Sequence, residues 1–223
     1  MDRSFAIGDI HGCNKTFQKL LLDKLRIKKS DNIYCLGDYI DRGNDSKGVI
    51  DFILDLREQG YQIHTIRGNH EQMMLDSTID DKNLYLWMVN GGGTTLQSFG
   101  ITSFNEMPLV YRNFFISTEY YIRTDNYILV HAGLNLNLKD PFDDKYSMLW
   151  YRILSVDEHK LGDHILLHGH NPLSLYYILK QQNTKVINID GGCVFKPYEQ
   201  YGYLVAYDMN RKDFIYLENI DIL

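Results

Sequence analysis

Three short stretches of this chain place metal-binding side chains where an apolar run stops and a helical pattern starts. They are Gly8-Asp9-Ile10-His11-Gly12, Gly37-Asp38-Tyr39-Ile40-Asp41-Arg42-Gly43 and Arg67-Gly68-Asn69-His70-Glu71. Later imidazoles, in His131-Ala132-Gly133 and His168-Gly169-His170-Asn171-Pro172, also follow apolar runs. Two carboxylates (Asp9, Asp38), the His11 imidazole, the Asn69 amide and two of the later imidazoles form a mixed N/O donor set. It suits Mn, Fe or Zn better than Mg or Ca. Cysteine takes no part, which disfavours a structural zinc site. Six ligands are too many for one tetrahedral ion and suit two ions that share a carboxylate and a water. Two ions roughly 3.5–4 Å apart can acidify that water and clamp a phosphoryl group. His70, next to Asn69, can be a ligand or a proton donor.

These residues are far apart in the chain, so the elements between them must bring them together. Ser4 to Ile7, Asn32 to Leu36 and Tyr61 to Ile66 read as buried strands. Residues 13–26 and 46–58 read as amphipathic helices, the second ended by Gly60. The order β-α-β-α-β predicts a parallel sheet with right-handed crossovers. Asp9, Asp38 and Asn69 then lie about one βα unit apart, and ligands gather outside the carboxyl ends of such strands. Asp9 and His11, two apart in an extended segment, are expected to project to the same side.

Residues 71–99 read as mainly helical, interrupted by a loop at Asn90-Gly91-Gly92-Gly93 close to the site. Over residues 109–131 Tyr, Ile, Phe and Thr dominate, and Asp125-Asn126 predicts a hairpin between Tyr120–Arg123 and Tyr127–Val130. A short helix is expected over Lys145 to Leu154, carrying Trp150 and Arg152, then a strand at Ile165 to Leu167 and a helix over 174–181. Residues 186–190, 202–208 and 213–218 read as strands in a more antiparallel style.

A chain of 223 residues is expected to form a single domain, residues 1–223, and can bury about 70% of its unfolded surface. The formal charge of −6 argues against a nucleic-acid partner. It leaves anionic substrates open, because bound cations make the local field positive. Neither a signal peptide nor an apolar run of membrane-spanning length is evident, so no membrane partner is expected. Cys13, Cys35 and Cys193 cannot all pair within one chain and form no CxxC. Reduced thiols and a cytoplasmic location are the simple reading.

In this order, GDIHG, GDYIDRG, RGNHE, HAG and HGHNP resemble the five signatures of the calcineurin-like metallophosphoesterases. They are most similar to the phosphoprotein phosphatase group. RGNHEQMM and the glycines after Asn90 further resemble the bacteriophage lambda-type serine/threonine protein phosphatases. The resemblance covers roughly residues 4–195. It implies an α/β fold, a central mixed β-sandwich flanked by helices. It also implies two divalent metal ions, manganese first among them. Asp9 and His11 would hold one ion, Asn69, His131 and His170 the other, and Asp38 would bridge. His70 would act as general acid, oriented by Asp41, while Arg42 and Arg152 grip the phosphate. The implied reaction is direct attack by a hydroxide held on the two ions, with no phospho-enzyme, on a phosphorylated protein or a small phosphoester.

The fifth motif departs from the family's Gly-His-Thr-Pro and leaves His168 ambiguous. Gly191-Gly192 stands where relatives often show Thr-Gly. A symmetrical dinucleoside polyphosphate hydrolase is the alternative enzyme. That group tends to lack the aspartate at Asp41 and to read GNHD where this chain has Glu71. A catalytically inactive binding module of the same fold is the alternative outside enzymes, and the retention of His70, Asp41 and Arg42 speaks against it.

Overall fold

A computed structural model describes residues 2–152, 157–196, 198 and 200–221. Apolar residues with period-2 alternation build its strands. β1 (Ser4–Ile7), β2 (Asn32–Cys35) and β3 (Gln62–Thr65) pair in parallel. β4 (Tyr121–Arg123) and β5 (Tyr127–Val130) form the expected hairpin, and β6 (Ile165–His168) and β7 (Val186–Asn188) extend it in parallel. β8 (Tyr203–Asp208) and β9 (Asp213–Glu218) add antiparallel to β1. The result is a five-stranded sheet, β3-β2-β1-β8-β9, and a four-stranded sheet, β4-β5-β6-β7. The antiparallel expectation therefore holds for β8 and β9 and fails for β7.

Alternation along the strands defines the layers. Phe5, Ile7, Ile33 and Cys35 share one buried cluster with Phe17, Leu20, Ile50 and Ile53 of the helices. The intervening Ala6, Tyr34 and Leu36 turn the other way, against Leu129, Leu167 and Ile187 of the second sheet. Ile128, Val130 and Leu166 cover that sheet's outer face with Met148 and Leu161. Full burial of each large aliphatic side chain contributes about 1.5–3 kcal/mol. The stack is helices, sheet, sheet, helices.

α1 (Asn14–Lys19) continues as a π-helical turn, Leu20–Leu25, that ends on Arg26 in the left-handed region. α2 (Ser46–Glu58) starts at Asp45, whose side chain accepts from the Gly48 N–H at 2.9 Å, and buries Val49, Ile50, Ile53 and Leu56. α3 (Asn69–Asp76), α4 (Asp81–Trp87) and α5 (Gly93–Phe99) fill the segment read as helical. The glycines after Asn90 do not loop out. Gly91 and Gly92 belong to a turn, Met88–Gly92, kinked at Gly91 with φ +107°, and Gly93 starts α5. α6 (Leu109–Ile116) takes the first part of the stretch rich in strand-type residues, because Pro108 stands at its N-cap and its Phe114 and Phe115 are buried. α7 (Lys145–Trp150) stops before Arg152, which lies in extended chain beyond it. The end of the expected 145–154 helix lies outside the described residues. α8 is Leu175–Leu179. Among the described residues no helix is long and apolar enough to cross a membrane.

Candidate active site

Parallel pairing of β1, β2 and β3 delivers the turns 8–12, 37–43 and 67–71 to one sheet edge. Parallel pairing of β5 and β6 delivers His131 and His170 to the matching edge of the second sheet. The turns are knotted together by backbone hydrogen bonds. The Asp38 carbonyl accepts from Ile10 N at 3.1 Å and from His11 N at 2.8 Å. Glu71 is fully buried, and its carboxylate accepts from Asp38 N, Tyr39 N and Gly68 N, each at 2.9 Å. Burial first, then Asp38, push the Glu71 carboxyl up to about 8, while the N–H donors pull it down. Gly68 is required by crowding: a Cβ there would lie 2.1 Å from Oδ1 of Asp38.

His11 does not sit in extended chain as expected. Its φ is +46°, because the turn folds back to donate into the Asp38 carbonyl. Asp38, Asp41, Arg42 and His170 share that left-handed region, at +50°, +71°, +68° and +70°. Non-glycine residues seldom adopt it, and such strain concentrates at functional sites.

The donor atoms converge on Asp38. Its Oδ2 lies 3.4 Å from His11 Nε2, and its Oδ1 lies 3.5 Å from His131 Nε2. Asn69 Oδ1 lies 2.9 Å from His131 Nε2 and 3.0 Å from His170 Nδ1. Two groups with metal-ligand spacing result, His11-Asp38-His70 and Asp38-His131-His170, and Asp38 belongs to both. Asp9 is buried behind them, and its carboxylate accepts from His170 N at 3.1 Å.

The hydrogen bonding of the rings shows that this donor set fits cations. Nδ1 of His131 donates to the Leu36 carbonyl at 2.9 Å, and Nδ1 of His11 donates to the Ile40 carbonyl at 2.8 Å. In a neutral ring each Nε2 is then a lone pair. At His131 that lone pair faces the Asn69 oxygen, so acceptor meets acceptor, and Nδ1 of His170 lies 3.2 Å away. At His11 it faces a positive group, with Arg42 Nη1 donating at 2.6 Å. Burial lowers His11 and His131 and brings His170 to about 3, so the rings stay in the neutral, metal-binding form. Burial opposes ionisation of Asp38, and a charge on the surrounding imidazoles, His131 first, would draw its carboxyl below the usual range. Asp9 is pushed well up by burial, then by Asp190 and Asp38. Asp190 rises to about 7, by burial first.

His70 belongs to a second arrangement. Its Nδ1 donates to Asp41 Oδ2 at 2.7 Å, which leaves Nε2 facing the cleft, 4.0 Å from Asp38. Asp41 is fully buried and surrounded by donors. The Trp87 indole N–H reaches its two oxygens at 3.1 and 3.0 Å, and the Thr95 hydroxyl donates at 2.6 Å. These donors fix the orientation of the Asp41 carboxyl group.

A cleft of about 380 Å³ opens over these groups, lined by Asp38, Asn69, His70 and His170, with Arg42, Asn90 and Arg152 at its walls. Arg152 is exposed at its mouth.

Several contributors escape sequence reasoning. Trp87, buried in the middle of a helical stretch, gave no motif; a lone tryptophan there was the available signal. Arg67 stands in a signature stretch yet faces away from the cleft. Its guanidinium donates to the carbonyls of Phe115, Ile116 and Thr118 at the end of α6. His168 is buried with its Nδ1 3.1 Å from the Gly169 carbonyl, outside both ligand groups, and burial lowers it to about 4.

Two His/Asp groups that share one carboxylate, at the meeting edges of two sheets, form a site that could hold metal ions. A model of the calcineurin-like phosphoesterases matches residues 3–214, and the chain belongs to that family. It is 29% identical over 198 residues to serine/threonine-protein phosphatase 1 of Salmonella typhimurium, spanning 86% of this chain and 87% of that protein. It is 31% identical over 144 residues to the symmetrical bis(5'-nucleosyl)-tetraphosphatase of Nitrosococcus oceani, spanning 58% of this chain and 43% of that relative's length. A crystal structure provisionally named a diadenosine tetraphosphatase superposes with a TM-score of 0.68 at 19% identity, over 99% of this chain and 95% of the other, and shows the fold.

Proposed function

We propose that this protein is a cytoplasmic, manganese-dependent phosphomonoesterase that acts on phosphorylated side chains of proteins. The observation that carries the reading is the convergence of acceptor atoms around Asp38 with a buried His70–Asp41 pair beside it. Asp9, His11 and Asp38 would hold one divalent ion, and Asp38, Asn69, His131 and His170 the other. When bound, such ions supply Lewis acidity toward water and toward the phosphoryl oxygens.

The chain's own residues do the rest. Arg42 and Arg152 flank the cleft and suit the oxygens of a phosphate, which a guanidinium fork matches. Asp41, oriented by Trp87 and Thr95, accepts from Nδ1 of His70 and so fixes the ring. Nε2 of His70 then carries the proton given to the departing alkoxide. The match to a serine/threonine phosphatase over most of both chains supports a protein substrate. Glu71 and Asp41 support it too, since both depart from the pattern of dinucleoside polyphosphate hydrolases. Such a hydrolase is the second reading, favoured by the shorter matches to that group.

Chelator-stripped protein is expected to be inactive on p-nitrophenyl phosphate and to recover turnover with Mn²⁺. Failure to recover with any first-row divalent ion overturns the reading. Parallel assays of phosphopeptides and diadenosine tetraphosphate then separate the two substrates.

A further inference from the structure

A second hollow of about 570 Å³ runs beside the cleft, lined by Arg152, Asn171, Pro172, Phe195, Tyr198 and Tyr201. Arg152, Pro172 and Phe195 line both hollows, so the two adjoin, and a molecule held by its phosphate in one has the other beside it. The volume lies within the roughly 300–1,000 Å³ of sites that hold whole organic ligands. Phosphate alone does not need it. Phe195 is the floor at the junction, and the Arg42 guanidinium lies 5.2 Å from its ring centre.

The shape of the hollow selects its occupant. The Phe195 ring stands at 64° to Tyr198 and 58° to Tyr201, with centres 6.5 and 6.4 Å apart. Neither tyrosine stands parallel to Phe195, so that ring forms no parallel-walled slot with either of them. A flat nucleobase stacks best between near-parallel faces, whereas an apolar or aromatic side chain packs into a trough edge-to-face. The amides of Asn171 and Gln200, on the same walls, offer both donors and acceptors. A peptide backbone presents one of each per residue. Tyr198 is 64% exposed, an aromatic surface turned to solvent beside the site.

We propose that this trough binds the residues flanking the phosphorylated residue of a phosphopeptide and favours a large apolar or aromatic side chain there. The proposal rests on the protein-phosphatase reading above. Its test compares two phosphoserine peptides with Mn²⁺-loaded protein. One has phenylalanine on both sides of the phosphoserine and the other has glycine. Free phosphoserine and diadenosine tetraphosphate are assayed alongside.

The phenylalanine peptide is expected to show a kcat/KM roughly three- to tenfold higher, the scale of one aromatic contact. Tyr198→Ala is expected to erase that preference through KM and to leave free phosphoserine turnover unchanged, while Tyr198→Phe keeps the preference. Equal kcat/KM for the two peptides overturns the trough's role and leaves the phosphatase reading standing. A Tyr198→Ala loss confined to diadenosine tetraphosphate assigns the trough to a base and overturns the peptide occupant. Turnover of free phosphoserine with none on either peptide overturns the protein-phosphatase reading, and the peptide occupant with it.

Discussion

Asp9, His11, Asp38, Asp41, Arg42, Asn69 and His70 all leave from three turns at the edge of the first sheet, whereas the second sheet supplies His131 and His170 from two strand ends. The two sides are also held differently. The first-sheet turns are tied to one another, by the Asp38 carbonyl and by the Glu71 carboxylate. The second-sheet ligands are oriented by first-sheet atoms: His131 donates to the Leu36 carbonyl, and His170 N donates to Asp9. The first sheet is thus a template whose turns are tied to one another, and the second sheet, its own ends joined by Gly169 N and the His131 carbonyl, completes it.

Three substitutions test that difference, and the largest effect falls where the halves meet. Asp38→Asn should remove both ions at once. Metal analysis should find neither, and turnover should fall roughly a thousandfold or more, since several kcal/mol of transition-state stabilisation goes with the metals. Retention of two tightly bound ions would remove the shared role of Asp38. Next in size is His70→Asn, which changes chemistry within the template. It should keep both ions and lose several hundredfold in kcat, within the about 10²–10⁴ that general acid catalysis supplies. Loss of metal instead would make His70 a ligand.

The smallest effect is expected one residue further back, at Trp87→Phe. It takes a hydrogen bond from the buried Asp41 carboxyl group, worth about 1.5–3 kcal/mol. At about 2–4 °C per kcal/mol for a chain of this size, Tm should drop by several degrees, and kcat should fall less than in His70→Asn. An unchanged melt and kcat would show that Asp41 does not depend on the indole.

Legibility in the sequence follows the same division. The β-α-β-α-β half was readable because short apolar runs and helical patterns alternate there, with Gly60 marking the end of α2. The edge that gathers Asp9, Asp38 and Asn69 follows from parallel pairing alone. The conformation at His11 was not readable, because it depends on the Asp38 carbonyl, brought in by another strand. Nor was α6: Leu109–Ile116 has strand-type composition, and its helix is set by Pro108 and by buried Phe114 and Phe115. Arg152 was placed on a helix that ends two residues earlier, since residue type does not show where α7 stops. The support given by Trp87 and Thr95 to Asp41 joins residues about 50 positions apart through side-chain hydrogen bonds, which no local pattern encodes.

His11, Asp38, Asp41, Arg42 and His170 all adopt backbone angles that glycine would take more easily. Selection of this chain for heat resistance alone would therefore favour glycine or asparagine at these five corners. Each such gain would replace a side chain that lines the cleft or stands directly behind it. A library screened only for survival on heating should accumulate inert variants at these positions sooner than anywhere in the two cores.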